Sequence, residues 1–213
     1  MNKIEFNTTK LGVMADIRTG VMGFDYWSLE PFISEGYKKD HIRIVTNGFI
    51  DQYKYTWGSK GRLYKKDFYE PYLDLKNVNL NKTTKELFLK KKIIIRGVAQ
   101  RLSANLDNDG FGLLVAVHSA IINDLSEYNP KYILALLNSS LMNWVHLKKF
   151  YSARIPEGSL KYPISFIKNI PIKYLQNQKP FIDFVDKILA ITKSGDYLEN
   201  PVKKEEVKEY EKQ

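Results

Sequence analysis

The stretch Lys92-Ile93-Ile94-Ile95-Arg96 places three consecutive β-branched residues between two cations. β-Branched side chains favour extended backbone, and a short continuous apolar run is typical of a strand buried on both faces. The stretch therefore predicts a central buried strand with basic ends. Downstream, Asp107–Gly110 has the composition of a tight turn, because its residues tolerate positive φ. Since Arg101–Leu106 and Phe111–Ser119 flank this turn, the sequence predicts a β-hairpin there.

The chain before this stretch has the pattern of short strands. His41–Val45 and Gln52–Trp57 alternate polar and bulky residues, which is typical of half-buried strands, and glycines separate the segments. Leu75–Lys92 is rich in Asn, Thr and Lys, and indicates either an exposed connection or a short helix over Thr83–Lys90. The pattern predicts a mainly β N-terminal lobe over residues 1–89.

The chain after this stretch adds two amphipathic helices. Asn129 and Pro130 form a typical helix start, and apolar residues then recur at helical spacing to about Lys149. A second helix is predicted from about Pro180 to a stop at Gly195. We therefore expect an α+β lobe over residues 90–195. The tail, residues 196–213, is charged, and we expect a solvated helix or a frayed end there.

Composition restricts the functional classes. The 213 residues contain no cysteine, which excludes disulfide scaffolds, zinc ribbons and thiolate catalysis. No apolar run approaches the ~20 residues of a membrane span, and the first residues lack a signal-peptide pattern, so the cytoplasm is the expected location and no membrane partner is expected.

Lys and Arg number 33 against 24 Asp and Glu, a net charge of +9. With aromatics interleaved among the cations, as in Tyr53–Trp57, this surplus favours nucleic acid as the partner.

Motifs for catalysis are poorly represented. No Gly-rich loop has nucleotide-cofactor spacing, so no cofactor is expected in this chain. Asn129-Pro130-Lys131-Tyr132 is close to the Asn-Pro-Pro-Tyr motif of amino-group DNA methyltransferases, but its context favours a helix N-cap.

Asp74-Leu75-Lys76 leaves a stand-alone metal-dependent nuclease as an alternative, although no upstream carboxylate pairs with it. The Asp107–Gly110 turn partly imitates a calcium loop, but Ala116 stands where a bidentate Glu belongs, so no metal site is expected.

Four ordered stretches resemble the TaqI-like C-terminal specificity domain of type IIG restriction-modification enzymes and adenine-specific DNA methyltransferases. They are Lys92–Gly97, Tyr132–Ser139, Tyr162–Ser165 leading to Ile170–Ile172, and Gln178–Phe181 leading to Val185–Ile188. Upstream, Ile17–Val21 resembles the start of the recognition region in such enzymes.

The resemblance implies a non-catalytic target-recognition domain for double-stranded DNA, with a mainly β lobe followed by an α+β lobe. It implies that methyl transfer with S-adenosylmethionine, and any Mg-dependent cleavage, belong to a methyltransferase domain in cis or to a separate subunit. Half of a type I specificity subunit is the other alternative; paired copies joined by long helices would mark it.

Side chains that could contact DNA are Arg, Lys and Gln residues on strand ends and loops, together with neighbouring hydroxyls and aromatics. In the first lobe the candidates are Arg18, Lys54, Tyr55, Lys60 and Arg62. In the second lobe they are Arg96, Gln100, Arg101, Lys148, Lys149, Arg154, Ser159 and Lys161. Trp57 is as consistent with the core as with a contact. The loop Tyr151–Tyr162 combines cations, Gly158 and two tyrosines, and is the strongest single candidate segment.

Overall fold

The computed structural model describes residues 7–124, 127–149 and 158–212. Its strands, in chain order, are β1 Thr8–Lys10, β2 Ala15–Thr19, β3 Ile33–Glu35, β4 His41–Val45, β5 Ile50–Asp51, β6 Lys54–Tyr55, β7 Gly61–Leu63, β8 Lys66–Phe68, β9 Pro71–Asp74, β10 Lys92–Arg96, β11 Val98–Ala99, β12 Ala104–Asp107, β13 Gly112–Leu113, β14 Val117–Ile122, β15 Leu160–Lys161 and β16 Pro171–Lys173. Its α-helices are α1 Leu11–Met14, α2 Gly23–Ser28, α3 Lys82–Leu89, α4 Pro130–Asn138, α5 Ser140–Lys149, α6 Ile164–Lys168, α7 Lys179–Thr192 and α8 Pro201–Lys212. The fold class is α+β, as the sequence predicts.

Strand β10 lies between two hydrophobic cores. It pairs antiparallel with β12 on one side and with β14 on the other, and β2 completes a four-stranded sheet in the order β12-β10-β14-β2. Ile93 and Ile95 face the core beneath α4 and α7, whereas Ile94 faces the core of the N-terminal strands. Successive side chains of a strand point to opposite faces, so a strand covered on both sides is apolar throughout. The predicted buried strand is confirmed.

A second four-stranded sheet has the order β13-β4-β9-β3. Strands β3 and β4 are antiparallel to β9, and the short β13 joins β4 in parallel. Both sheets therefore combine strands from before and after residue 89: β2 lies in the central sheet and β13 in the second one. The division into residues 1–89, 90–195 and 196–213 stays a prediction.

The predicted hairpin around the Asp107–Gly110 turn is wrong, although the turn itself is present. Strands β12 and β14 lie on opposite sides of β10 and do not pair with each other. The Asp107 carboxylate accepts hydrogen bonds from the backbone N–H groups of Asp109, Gly110 and Phe111, and Gly110 has φ +86°. After this turn the chain continues as β13, which pairs with β4. The pairing brings Gly112 of β13 close to the Ile44 side chain, where there is no room for a Cβ atom.

The predicted strand over Gln52–Trp57 is also wrong in its extent. A turn at Gln52 and Tyr53 connects β5 to β6, so the segment folds back on itself as a small hairpin. Tyr53 adopts φ +57° and is buried. Its backbone N–H donates to Ala104 O and its carbonyl accepts from Thr192 Oγ1, which fixes the turn against β12 and the end of α7.

Both predicted amphipathic helices form, the first of them in two pieces, and the two segments for which a helix was one alternative are helical too, as α3 and α8. Asn129 caps α4 through its side chain, but Ser139 adopts extended backbone, so the helix predicted to Lys149 is divided into α4 and α5. Helix α7 follows the predicted stripe, with Val185 and Ile188 buried. The tail forms α8, and its Val207 is buried, so this helix packs on the core. Within the described residues, no helix is long and apolar enough to cross a membrane.

Candidate nucleic-acid interface

Lys54 and Tyr55, both candidates from the sequence, make internal contacts. Lys54 Nζ donates to Thr192 O at 3.0 Å and lies 5.1 Å from the centroid of the Tyr197 ring; burial lowers the pKa of its ammonium group. Tyr55 Oη donates to Leu106 O at 3.2 Å, its ring packs on Phe111, and burial raises the pKa of its phenol well above the usual range. These contacts join β6 to the α+β part of the chain.

Arg96 and Arg101 also donate to backbone carbonyls, and each of them reaches one carbonyl in a distant segment. Arg96 Nη1 donates to Ile50 O at 3.1 Å and its Nε to Val98 O at 2.9 Å. Arg101 Nη2 donates to Asn138 O at 3.1 Å, at the point where α4 ends. The geometry of both guanidinium groups fits structural links between elements.

Lys60 and Arg62 are exposed on the hairpin formed by β7 and β8. Lys60 Nζ pairs with Asp67 at 2.8 Å, whereas Arg62 forms no ion pair with any described residue. The hairpin packs onto the core through Gly61, where a Cβ atom would lie 2.2 Å from the Phe49 ring. Both candidates therefore project from a hairpin whose base is fixed by packing.

The turn of this hairpin has an unusual backbone. Tyr64 and Lys65 are its two central residues, and both have positive φ, +49° and +63°. A two-residue turn with this geometry matches the twist of the flanking strands but normally contains Asn and Gly, because other residues are strained there. Such strain tends to be kept at functional positions. Lys65 is exposed at the tip.

Helix α2 packs beside this turn, and its aromatic residues were missed by sequence reasoning. The Tyr26 and Tyr64 rings stack with centroids 4.4 Å apart, Tyr64 N–H donates to Tyr26 Oη, and Tyr64 Oη donates to Tyr26 O. Phe24 and Trp27 remain 87% and 52% exposed. The signal available in the sequence was the run Gly23–Trp27, in which three of the five residues are aromatic. We call α2 and the β7–β8 hairpin together the hairpin surface.

A second group of cations lies on α5, β15 and α6, which pack around His146. The His146 ring lies 4.3 Å from the ring centroids of both Tyr162 and Phe166. From these elements project three exposed lysines, Lys148, Lys161 and Lys168. Lys168 was missed, since its place on a short helix carried no pattern. We call these three lysines the lysine group.

The two surfaces are connected through packed elements. Asn47 Nδ2 donates to Val98 O at 2.7 Å and its Oδ1 accepts from Val98 N–H at 2.9 Å. Val98 is the register partner of Lys161, while Phe49, which follows Asn47 in the same short 3-10 helix, contacts Gly61 of the hairpin. A continuous series of contacts therefore runs from β7 to β15.

The remaining candidates differ in position. Gln100 is exposed next to β11, Ser159 is half-buried before β15, and Lys149 ends α5. Arg18 is exposed on β2 and its guanidinium pairs with Asp16 at 2.9 Å. Arg154 lies outside the described residues, as does most of the loop Tyr151–Tyr162. Trp57, half-buried, packs edge-on against Tyr72.

The side chains considered for a metal site form local turns. Asp74 accepts hydrogen bonds from the backbone N–H groups of Lys76 and Asn77 and from the Asn77 amide, and the Asn77 bonds are the largest cause of its lowered pKa. Among the described residues, no three His, Asp or Glu side chains come together in a way that could hold a metal ion. A nuclease centre at Asp74 and Lys76 therefore finds no support in this geometry.

The α+β fold with its exposed basic hairpin and lysine group has the character of a binding module. The family described as the TaqI-like C-terminal specificity domain matches residues 46–172, which is more than half of the 213 residues. The chain belongs to this family.

The chain is similar to several solved structures. The S subunit of a type I restriction-modification system from M. genitalium aligns with a TM-score of 0.50 and 13% identity, covering 86% of this chain and 38% of that one. A structure described as showing complex assembly and conformational transition of the type I R-M system gives a TM-score of 0.49 at 13% identity, covering 96% of this chain and 42% of that one. The HsdS subunit from Thermoanaerobacter tengcongensis gives 0.46 at 12% identity, with the same coverages of 96% and 42%.

This chain spans 38 to 42% of the length of these proteins. No curated protein matches it. At 13% identity the likeness to the M. genitalium S subunit concerns the fold alone, and it agrees with the α+β architecture.

Proposed function

We propose that this chain recognises a target sequence in double-stranded DNA for a restriction-modification enzyme. The observation that carries the proposal is membership of the specificity-domain family over residues 46–172. The net charge of +9 supports it, because neutralising phosphates with Lys and Arg is the main source of affinity for duplex DNA.

The hairpin surface supports the proposal through its shape. A two-stranded β-ribbon fits the major groove, whose base edges differ for every base pair. Arg62 can reach a guanine edge or a phosphate from such a ribbon, and Lys65 at the tip is placed for a phosphate. The lysine group would extend the phosphate contacts along the duplex, since contacts to the backbone position a protein and outnumber those to bases.

The reaction served by this recognition is part of the same proposal. We infer an adenine-specific methyltransferase of a type II system, in which methyl transfer with S-adenosylmethionine and any Mg-dependent cleavage reside in another domain or subunit. The interaction partners are then duplex DNA and a methyltransferase domain, in cis or as a separate polypeptide. The cytoplasm, where such an enzyme meets its DNA, stays the expected location.

Half of a type I specificity subunit is the second candidate. It is favoured by the fold shared with the M. genitalium S subunit, of which this chain covers 38%. Size-exclusion chromatography of the chain co-expressed with a candidate methyltransferase subunit separates the two. Two recognition units in one complex would favour the type I candidate, and a single recognition unit in the complex the type II candidate.

The test of DNA recognition is binding of a labelled duplex at two salt concentrations. We expect the affinity to fall steeply with salt, by orders of magnitude if roughly six phosphates are engaged. A triple variant, Lys60→Ala with Arg62→Ala and Lys65→Ala, should lower the salt dependence by about two to three contacts.

The matched control is Lys193→Ala with Lys204→Ala and Lys208→Ala. It removes the same charge from the C-terminal part of the chain. Each triple variant removes one lysine that forms an ion pair, Lys60 in the first and Lys208 in the control. The control should bind like the unchanged chain. Affinity that does not respond to salt, or equal losses in both triple variants, would contradict the proposal.

A further inference from the structure

Helix α2 exposes two large aromatic side chains. Phe24 is 87% exposed and Trp27 is 52% exposed, and no residue of this helix is buried. The three-residue spacing puts both on one side of the helix. Isolated exposed apolar residues are common, but neighbouring ones beside polar groups mark interaction sites. Met22, at the N-cap of the helix, adds a third exposed apolar side chain.

Trp27, and the helix that carries Phe24, are held in a fixed position relative to the hairpin. Tyr26 stacks on Tyr64 with only 13° between the rings, and Trp27 packs edge-on against Tyr64 at 5.7 Å. Lys66 Nζ pairs with Glu30, which follows the helix, at 2.7 Å. A rigid aromatic group loses little conformational entropy on binding, which favours its use as a contact.

The charge next to the aromatics indicates the kind of partner. The segment from Lys60 to Phe68 contains four cations and one carboxylate, Asp67. After the ion pairs Lys60–Asp67 and Lys66–Glu30 are formed, Arg62 and Lys65 remain without an ion pair among the described residues. A surface with exposed aromatic rings and available cations fits a polyanion that also presents apolar groups, as duplex DNA does with its base edges and thymine methyl groups.

The backbone strain at the tip is an independent observation at the same place. Tyr64 and Lys65 both keep positive φ where Asn and Gly would be relaxed. The Tyr64 ring is the one that Tyr26 stacks on and that Trp27 contacts. Tyr64 therefore joins α2 to the turn while Lys65 points outward, and the strained conformation keeps the aromatics and the cation together.

We propose that Phe24 and Trp27 contact the bases of the bound duplex and help to determine which sequence is recognised, while Arg62 and Lys65 hold the adjacent phosphates. This inference rests on DNA recognition as the proposed function, and it assigns base reading to a helix that the sequence analysis did not include.

The first experiment selects bound sequences from a randomised duplex pool with the unchanged 213-residue chain and with Phe24→Ala. Because Phe24 is almost fully exposed, the variant should melt at the same temperature. We expect it to lose preference at one or two base positions, while its affinity for non-selected duplex and its salt dependence stay within about twofold of the original. Val202→Ala, which removes another highly exposed apolar side chain on α8, is the control and should select the original sequence.

The second experiment follows tryptophan emission while the selected duplex is added. Quenching should be lost in Trp27→Phe and kept in Trp144→Phe, whose indole is 43% exposed on α5. An unchanged selected sequence in Phe24→Ala, or quenching that survives in Trp27→Phe, would overturn the inference while leaving DNA recognition intact. A chain that binds duplex with no sequence preference at all would overturn both.

Discussion

Replacing Lys65 with glycine should make the protein more stable and its DNA binding weaker. Lys65 has φ +63° at the hairpin tip, where its side chain is exposed and forms no ion pair with a described residue. The left-handed conformation costs an L-residue about 1 kcal/mol or somewhat more, and glycine does not have this cost. Stability and binding therefore respond in opposite directions to one substitution.

The magnitudes are small but measurable. Glycine gains about 0.5 kcal/mol more freedom than lysine in the unfolded chain, which offsets part of the relieved strain. The net gain for Lys65→Gly is roughly 0.5 kcal/mol, or about 1 to 2 °C in melting temperature for a chain of this size. Losing one phosphate contact should lower the salt slope by about 0.9 and weaken binding roughly fivefold at moderate salt.

Thermal melting and duplex binding at several salt concentrations test this prediction with two further variants. Lys65→Ala loses the charge but keeps the strain, so its binding should fall equally while its melting temperature stays unchanged. Lys204→Ala on α8 should change neither quantity. If Lys65→Gly and Lys65→Ala both bind like the original, the tip does not face DNA; if Lys65→Gly melts earlier, the assignment of strain is wrong.

Three other predictions concern stability. Asn138→Ala should lower the free energy of unfolding by about 2 kcal/mol, because the buried Ala104 N–H loses the Asn138 Oδ1 acceptor at 2.8 Å. Chemical denaturation measures this loss, and a value below about 0.5 kcal/mol would contradict the role of Asn138. Lys54→Met should lower the melting temperature, because it breaks the hydrogen bond to Thr192 O. The salt dependence of DNA binding should stay unaltered, which distinguishes Lys54 from a residue that contacts DNA. Burial lowers the pKa of His118 below its ordinary 6.5, so unfolded His118 takes up a proton that the folded residue does not. The free energy of unfolding should therefore decrease as pH falls below about 6.5. A His118→Gln variant with the same pH dependence would refute this.

The sequence predicts the elements whose signal is local. The strand at Lys92–Arg96 and the helix over Lys179–Thr192 follow from composition and periodicity alone. Strand pairing is not local, so the turn at Asp107–Gly110 was recognised while its two flanking strands were paired with each other incorrectly. Their true common partner, β10, precedes them in the chain. The break at Ser139 was also missed, because the helical stripe continues through it although Asn138 turns inward to bond with Ala104.

The candidate DNA contacts could be predicted from the sequence only by residue type, and the cations explain why. Composition identifies cations that could contact DNA, but it does not distinguish them from cations that bind distant carbonyls. Lys54, Arg96 and Arg101 are candidates from the sequence just as Arg62 is, yet the first three donate to backbone oxygens far along the chain. Phe24 was not among the candidates, because nothing in the sequence indicates that this aromatic side chain is exposed.

The internal cations have a consequence for any mutational map of DNA binding. Arg96 Nη1 donates to Ile50 O, and Ile50 directly follows Phe49, on which the β7–β8 hairpin packs through Gly61. Arg96→Ala should therefore displace the hairpin surface and weaken DNA binding through the fold rather than through the loss of a DNA contact. The variant should melt earlier and, because the hairpin cations are still present, keep most of its salt dependence. A variant that loses about one phosphate contact without any change in melting temperature would instead identify Arg96 as a direct contact, so the two measurements together decide its role.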